Sequence, residues 1–131
     1  MLDKTKIGMA FEPHTVTVEA GRLAFFAKAA GYRSLPVPAT YLFSLELERP
    51  DQFGWFAEVG LDLKKILHGE QSFVYHQVPV AGDTLTFASQ ITDIYEKKNG
   101  ALEFVVRQTT VTDAKGAPVA ELKSTIVQRN A

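Results

Sequence analysis

An almost unbroken apolar segment runs from Pro36 to Arg49 and dominates the hydrophobic pattern of the chain. Its apolar residues recur at intervals of three and four, the spacing of one helical face, at Ala39, Leu42, Phe43, Leu45 and Leu47. Pro38 suits the first position of a helix, where its missing N–H would have no partner, and Pro50 ends the segment. The pattern therefore predicts a buried central helix.

A strand is the alternative interpretation of this segment, because Phe43, Leu45 and Leu47 also alternate with polar residues. Residues that are β-branched are enriched in strands, and the segment contains none after Thr40. The composition therefore favours the helix.

Shorter elements are predicted on both sides of the central segment. Alternating β-branched residues predict a strand within Phe11 to Glu19, and helical spacing predicts an amphipathic helix from Arg22 to Ala30. Aromatic residues beside glycines predict an irregular loop over residues 50–61, packed on the core. Asp62 is suited to cap a brief helical turn from Leu63 to Leu67.

The second half of the chain has the period of two that is typical of strands. Strands are predicted at Gln71 to Val78, Thr84 to Glu96, Leu102 to Asp113 and Val119 to Gln128. We expect the first two to be antiparallel neighbours and all four to form a meander. The fold class is therefore α+β, with a helix packed on an antiparallel sheet.

Composition and net charge exclude several classes of function. The chain has 131 residues, 46% hydrophobic and 22% charged, which fits one domain over residues 1–131. A formal net charge of -1 without a basic cluster gives no driving force for nucleic-acid binding. The chain contains no cysteine, no apolar run long enough to cross a membrane and no secretion signal, so a cytoplasmic location is expected.

Four short sequence motifs resemble those of a known family. They are Ala30-Gly31-Tyr32-Arg33-Ser34-Leu35-Pro36-Val37-Pro38-Ala39-Thr40, Leu67-His68-Gly69-Glu70-Gln71, Phe73-Val74-Tyr75-His76 and Ala81-Gly82-Asp83-Thr84-Leu85. Together they resemble the N-terminal, FAS1-like dehydratase half of the MaoC-like hydratases and dehydratases. The chain is also similar to the non-catalytic subunits of (3R)-hydroxyacyl-ACP dehydratases.

The resemblance implies a hot-dog fold, in which a sheet of about five strands wraps around one central helix. It also implies reversible hydration of a 2-enoyl thioester, carried on CoA or acyl carrier protein, without a cofactor. In the family an Asp and a His on the loop before the central helix activate the water, and backbone N–H groups stabilise the enolate oxygen. Here the chain passes directly from Ala30 to Gly31 and Tyr32, and neither catalytic residue is present.

Few residues remain as candidates for chemistry. His68 is the best of them because histidine is the side chain type that ordinarily changes its protonation near neutral pH, although hydrogen bonding of the turn before a strand is the alternative role. Glu46 is a weaker candidate, since a solvated position near the helix end is the alternative. His76 and His14 are expected at the surface, and no histidine pair has the spacing of metal ligands.

Substrate binding is predicted around the start of the central helix. A helix N-terminus has unpaired N–H donors that could hold a thioester oxygen, and tyrosines could form the walls of an acyl channel. The predicted substrate-binding residues are Tyr32, Pro38, Ala39, Thr40, Tyr41 and Gly69.

The leading hypothesis is a subunit of an (R)-specific enoyl-thioester hydratase or 3-hydroxyacyl-thioester dehydratase, inactive alone. It would bind the acyl chain and pair as a homodimer, or with a catalytic MaoC-like subunit that supplies Asp and His. The alternatives are a hot-dog acyl-CoA thioesterase that uses Glu46 or Asp83, and a module that binds acyl thioesters without chemistry.

Overall fold

The computed structural model describes residues 1–32 and 37–130. The strands are β1 (His14–Thr17), β2 (Ile66–Tyr75), β3 (Thr84–Lys97), β4 (Leu102–Thr112) and β5 (Pro118–Arg129). The α-helices are α1 (Ala20–Ala29), α2 (Tyr41–Glu46) and α3 (Trp55–Val59). Short 3₁₀ turns lie at Lys4–Lys6 and Leu63–Lys65. The predicted α+β class with five strands is confirmed.

The five strands form one antiparallel sheet in the order β1-β3-β4-β5-β2. The expectation that β2 and β3 are neighbours was wrong: β2 pairs with β5, and only β3, β4 and β5 form a meander. The connection between β2 and β3 is not a tight hairpin. It pairs instead with the end of β1, through Gly82 N–H to Val18 O (2.8 Å) and Val18 N–H to Asp83 O (2.7 Å).

The helix α2 packs against one face of this sheet. Leu42 and Leu45 are fully buried there, and the same cluster contains residues from α1 and from β3, β4 and β5: Leu23, Leu85, Phe87, Val111, Ala120 and Leu122. Burial of this apolar surface is the main driving force that holds helix and sheet together.

The central helix is shorter than predicted. It begins at Tyr41, whose N–H donates to Pro38 O (3.0 Å), so Pro38 precedes the helix instead of starting it. It ends at Glu46, and the next residue, Leu47, is exposed. Pro36, where the apolar segment begins, lies outside the described residues. Among the helices described, none is long and apolar enough to cross a bilayer.

A second apolar cluster lies at the other end of the sheet. The segment 50–61, predicted to be irregular, contains the helix α3, and that prediction was wrong. Trp55, Phe56 and Val59 are spaced to share one helical face and pack with Leu2, Leu61, Ile91, Ile94 and Val105. Gly60 ends the helix in the left-handed region (φ 87°), which a glycine adopts without strain.

Candidate functional site

A cavity of about 190 Å³ lies between α2, the segment 52–56 and the strands β2, β4 and β5. Most of its wall is apolar: Phe43, Leu47, Phe53, Trp55, Phe56, Ile66, Leu67 and Ile126. Its polar lining residues are Gln52, His68, Arg107 and Ser124. An apolar wall with a few polar groups is the usual composition of a small-molecule site.

A more open hollow adjoins this cavity and shares Phe43 and His68 with it. It is lined by Thr40, Phe43, His68, Gly69, Glu70, Gln71 and Phe73. Three residues singled out from the sequence, Thr40, His68 and Gly69, therefore meet at one place, between the start of α2 and the strand β2.

His68 lies within β2 and not in a turn before it, because β2 begins earlier than predicted. Its Nε2 is 3.1 Å from Gln71 Oε1, and the Ser124 hydroxyl donates to the same oxygen at 2.5 Å. The imidazole ring packs edge-on against Phe43, with ring centroids 5.0 Å apart. His68 is thus held between the two hollows by an amide partner and an aromatic ring.

Gly69 lies at a β-bulge, where the pairing of β2 with β5 shifts between His68 and Glu70. A Cβ at this position would lie 2.6 Å from Val127 Cγ2 and 3.3 Å from Thr125 O. Glycine is therefore required here for close approach of the two strands.

Glu46 is buried, which corrects the expectation of a solvated helix end. Its side chain is 3% exposed, and Oε1 accepts a hydrogen bond from the Thr109 hydroxyl (2.5 Å) and lies 3.2 Å from Arg107 Nη2. The same Nη2 donates to Ser89 Oγ at 3.3 Å. The carboxylate therefore belongs to a polar network between α2 and β4.

Arg107 is buried between this network and the aromatic residues beside the cavity. Its guanidinium carbon lies 4.5 Å from the centre of the Phe11 ring and 5.7 Å from that of Trp55. Burial lowers the pKa of Arg107, whereas the Glu46 carboxylate raises it. Among the residues that the structure describes, Arg107 Nε and Glu46 Oε2 have no hydrogen-bond partner.

The other predicted binding residues lie apart from the cavity lining. Tyr41 packs edge-on against Phe26 of α1, with ring centroids 5.2 Å apart. Ala39 O accepts a hydrogen bond from the Tyr75 hydroxyl, and burial, with a smaller contribution from nearby Tyr32, raises the pKa of Tyr75 to about 12. Pro38 is buried, and Tyr32 is largely exposed.

The remaining histidines do not line either hollow. His76 is exposed, as expected, and its Nε2 lies 3.0 Å from Glu121 Oε2. His14 is half-buried against Phe87, so the expectation of a surface position was only partly right. Over residues 1–32 and 37–130, no group of three His, Asp or Glu side chains is arranged to hold a metal ion.

Sequence reasoning missed Arg107 and Ser124. The signal was present in β4, where a charged residue occupies an inward-facing position between the buried residues Val105 and Val111. Strand alternation identifies such a position only once the inward face is known, because a period of two fits either face.

Residues 26–122 match a family model described as "FAS1-like, dehydratase domain region". The match extends from α1 into β5 and includes most of the cavity lining. The chain belongs to this family. The family predicted from the four sequence motifs is thereby confirmed. Membership of a dehydratase domain family supports a hydro-lyase type of activity.

Curated relatives of this FAS1-like dehydratase domain are UPF0336 proteins. The chain is 34% identical over 103 residues to that of Saccharopolyspora erythraea, covering 79% of this chain and 65% of the relative. It is 33% identical over 120 residues to that of Leifsonia xyli, covering 92% of this chain and 75% of the relative. The chain thus spans about two thirds to three quarters of the length of these two relatives.

Solved structures show the same fold. A truncated HadBC (3R-hydroxyacyl-ACP dehydratase) complex from Mycobacterium tuberculosis matches with a TM-score of 0.76 at 24% identity, covering 93% of this chain and 96% of that chain. The ChsH1-ChsH2 complex from the same organism matches with a TM-score of 0.66 at 14% identity, covering 92% and 84%. A MaoC-like dehydratase matches with a TM-score of 0.75 at 23% identity, covering 96% and 43%. These neighbours confirm the predicted hot-dog fold of this FAS1-like dehydratase domain.

Proposed function

We propose that this FAS1-like dehydratase domain is the acyl-binding subunit of an (R)-specific enoyl-thioester hydratase or 3-hydroxyacyl-thioester dehydratase. The apolar cavity holds the acyl chain of a CoA or ACP thioester, and the open hollow by Thr40 and Gly69 is its entrance. A catalytic hot-dog partner supplies the Asp and the His that handle the water.

The observation that carries this proposal is the chemistry of the lining. Within the described parts of the chain, the two hollows contain one histidine, His68, and one carboxylate, Glu70, but no aspartate. The imidazole is paired with the Gln71 amide, which cannot take up a proton as a carboxylate would. The lining thus lacks the Asp/His pair that handles the water in the family, whereas its apolar wall can still bind an acyl thioester.

The sheet provides a surface for the partner. Within residues 1–32 and 37–130, β2 is an edge strand that pairs only with β5, and its residues Leu67 and Val74 are exposed. Exposed apolar edges favour pairing with another strand. The HadBC and ChsH1-ChsH2 structures are complexes of two different chains by name, which supports a heteromer here.

The thioesterase alternative has weaker support. Glu46 Oε1 is occupied by Thr109 and Arg107, and Glu46 is not among the lining residues of the cavity. Asp83, the other candidate acid, accepts a hydrogen bond from Val80 N–H (2.9 Å) in the turn before β3. Neither carboxylate faces the proposed acyl site.

The test is hydration of crotonyl-CoA, followed by loss of the enoyl absorbance. The purified chain alone should show negligible turnover, and addition of a catalytic hot-dog subunit that carries the Asp/His motif should increase the rate by about 10² or more, the usual effect of acid–base catalysis. The control is the same mixture with the partner's catalytic His replaced by Ala. Turnover by the lone chain at ordinary enzyme rates would refute the proposal, and so would ligand binding without turnover with every partner tested.

A further inference from the structure

The β-bulge at Gly69 decides which side chains of β2 face the cavity. His68 and Gln71 are three residues apart, and in a regular strand residues at this spacing point to opposite faces of the sheet. Because the bulge inserts one extra residue, His68 lies opposite Ile126 of β5. Gln71 then lies opposite Ser124, and both β5 residues line the cavity. Residues directly opposite each other share a face, so the bulge brings the imidazole and the amide together on the cavity side.

The orientation of the Gln71 amide is fixed by its neighbours. Its Nε2 donates to the backbone oxygen of Ser72 at 3.4 Å, and a carbonyl oxygen can only accept. Its Oε1 therefore faces the other way, where the Ser124 hydroxyl donates to it at 2.5 Å. The same Oε1 lies 3.1 Å from His68 Nε2. Since an amide oxygen can only accept, the histidine nitrogen is the donor, and the proton of the neutral imidazole is on Nε2.

This tautomer leaves Nδ1 of His68 as a hydrogen-bond acceptor. Among the residues that the structure describes, Nδ1 has no hydrogen-bond partner, and the side chain is exposed and lines both hollows. Packing of the ring against Phe43 limits its rotation. An unprotonated Nδ1 cannot donate, so it suits a ligand group with a hydrogen-bond donor and not a carbonyl oxygen or a carboxylate.

The position of His68 indicates which donor of an acyl thioester lies beside it. In the proposed binding mode the hydrocarbon tail lies in the cavity and the link to CoA or ACP lies in the open hollow, so the first acyl carbons lie beside His68, which lines both. A 2-enoyl thioester has no donor on these carbons, whereas a 3-hydroxyacyl thioester has the hydroxyl on C3. This hydroxyl can donate to Nδ1 and still accept a hydrogen bond from a group of the partner.

We propose that His68, held in one tautomer by Gln71 and Ser124, accepts a hydrogen bond from the 3-hydroxyl group of a 3-hydroxyacyl thioester. The site therefore binds the hydroxyacyl form more tightly than a form without the hydroxyl. This inference rests on the proposed function, since it names the acyl group that the same site favours. His68 is on this account a specificity-determining residue, and Gln71 and Ser124 are positioning residues.

The binding experiment compares two ligands that differ only in the hydroxyl group. Calorimetry with the 131-residue chain measures the dissociation constants of (R)-3-hydroxybutyryl-CoA and butyryl-CoA. The hydroxyacyl form should bind about fivefold more tightly, as one neutral hydrogen bond would give. His68→Phe keeps an aromatic ring beside Phe43 and removes the acceptor, so it should abolish this preference. His76→Phe is the matched control, because His76 lines neither hollow, and it should leave the preference unchanged.

Nitrogen NMR of the chain with isotope-labelled histidine tests the tautomer directly. At about pH 8, where a histidine side chain is ordinarily neutral, Nε2 of His68 should have the chemical shift of a protonated ring nitrogen and Nδ1 that of an unprotonated one. Addition of (R)-3-hydroxybutyryl-CoA should move the Nδ1 signal much more than butyryl-CoA does. Gln71→Leu removes the amide that selects the tautomer, so both nitrogen signals should move toward the average of the two tautomers. A free protein in which Nδ1 carries the proton would overturn the proposal.

The outcomes separate this inference from the proposed function. If both thioesters bind equally, or if His68→Phe leaves the preference unchanged, His68 does not contact the hydroxyl and the inference is overturned, while acyl binding stands. If neither thioester binds, the acyl-binding role itself is refuted. Circular dichroism checks that His68→Phe is folded, and the NMR experiment on the wild-type chain tests the proposal if it is not.

Discussion

At the scale of single residues, Tyr75 links the strand β2 to the segment before α2. Its hydroxyl donates to Ala39 O, and burial raises its pKa from the ordinary value of 10 to about 12. The unfolded chain therefore loses this proton at lower pH than the folded chain does, so the free energy of unfolding falls as pH rises from 10 to 12. Below pH 10 the contribution of Tyr75 to the free energy of unfolding is fully present.

The variant Tyr75→Phe tests this linkage. It should lower the free energy of unfolding by about 1 kcal/mol at neutral pH, because the hydrogen bond is lost. The difference from the wild type should then shrink between pH 10 and 12, since only the wild type loses the contribution of Tyr75 there. Urea titrations at several pH values measure both effects. A difference that stays constant up to pH 12 would contradict the assignment.

Gly69 is a second residue whose role can be tested alone. Gly69→Ala should destabilise the protein by about 1–3 kcal/mol, because the new Cβ would meet Val127 Cγ2 at 2.6 Å and the β-branched valine has little freedom to move. Adding Val127→Ala should recover part of the loss. Gly21→Ala in α1 is the control: its Cβ would lie 3.3 Å from Oε1 of Glu19, the residue that caps the helix, so only a small shift of that carboxylate is needed. Because alanine also favours the helix, this variant should lose much less stability than Gly69→Ala. Equal effects of the two glycine substitutions in thermal denaturation would show that the bulge is not tightly packed.

Glu46 shows where prediction from single residues fails. A carboxylate near a helix end is most often solvated, and nothing near Glu46 in the sequence indicates a partner. Its hydrogen-bond donor Thr109 lies 63 residues further along the chain and reaches it only through the packing of α2 on β4. His76, in contrast, was correctly expected at the surface, because exposure follows from local alternation at a strand end.

At the scale of elements, the prediction for α2 gave the correct type of element, a helix, but the wrong limits. The helical spacing of Leu42 and Leu45 correctly predicted a helix. The same spacing continues in the sequence past Glu46, so the prediction included the following residues, which form turns in the structure. For β2 the reverse holds, since the strand begins at Ile66, ahead of the region with clear alternation. Pairing with β5 imposes the extended conformation on His68 and Gly69, and pairing partners are not encoded in local spacing.

The role of α2 as the centre of the core gives a quantitative prediction. Leu45→Ala should lower the free energy of unfolding by about 2–5 kcal/mol, because Leu45 is fully buried and a cavity would remain. Leu47→Ala, one residue past the helix and 36% exposed, should cost about 1 kcal/mol or less. Chemical denaturation of the two variants compares the same substitution on the two sides of the helix end. Similar losses would show that the core extends beyond Glu46.

At the scale of the whole molecule, the fold was largely predictable and the site only in part. The four sequence motifs identified the family and the hot-dog fold. They include Thr40, His68 and Gly69, which meet at the proposed entrance. The inner cavity was not foreseen, because its lining comes from α2, the 52–56 segment and three strands that are distant in sequence. The molecule thus has an apolar pocket and an unpaired sheet edge, which together suit a subunit that acts with a partner.

The most direct test of this division of labour is the rate of crotonyl-CoA hydration measured while the chain and a catalytic hot-dog partner are mixed in varying ratio at constant total concentration. We predict that the chain alone is inactive and that the rate is greatest where the two chains are present in equal amounts, because each active site needs both. A rate that simply follows the amount of partner, or substantial turnover by the chain alone, would contradict the account.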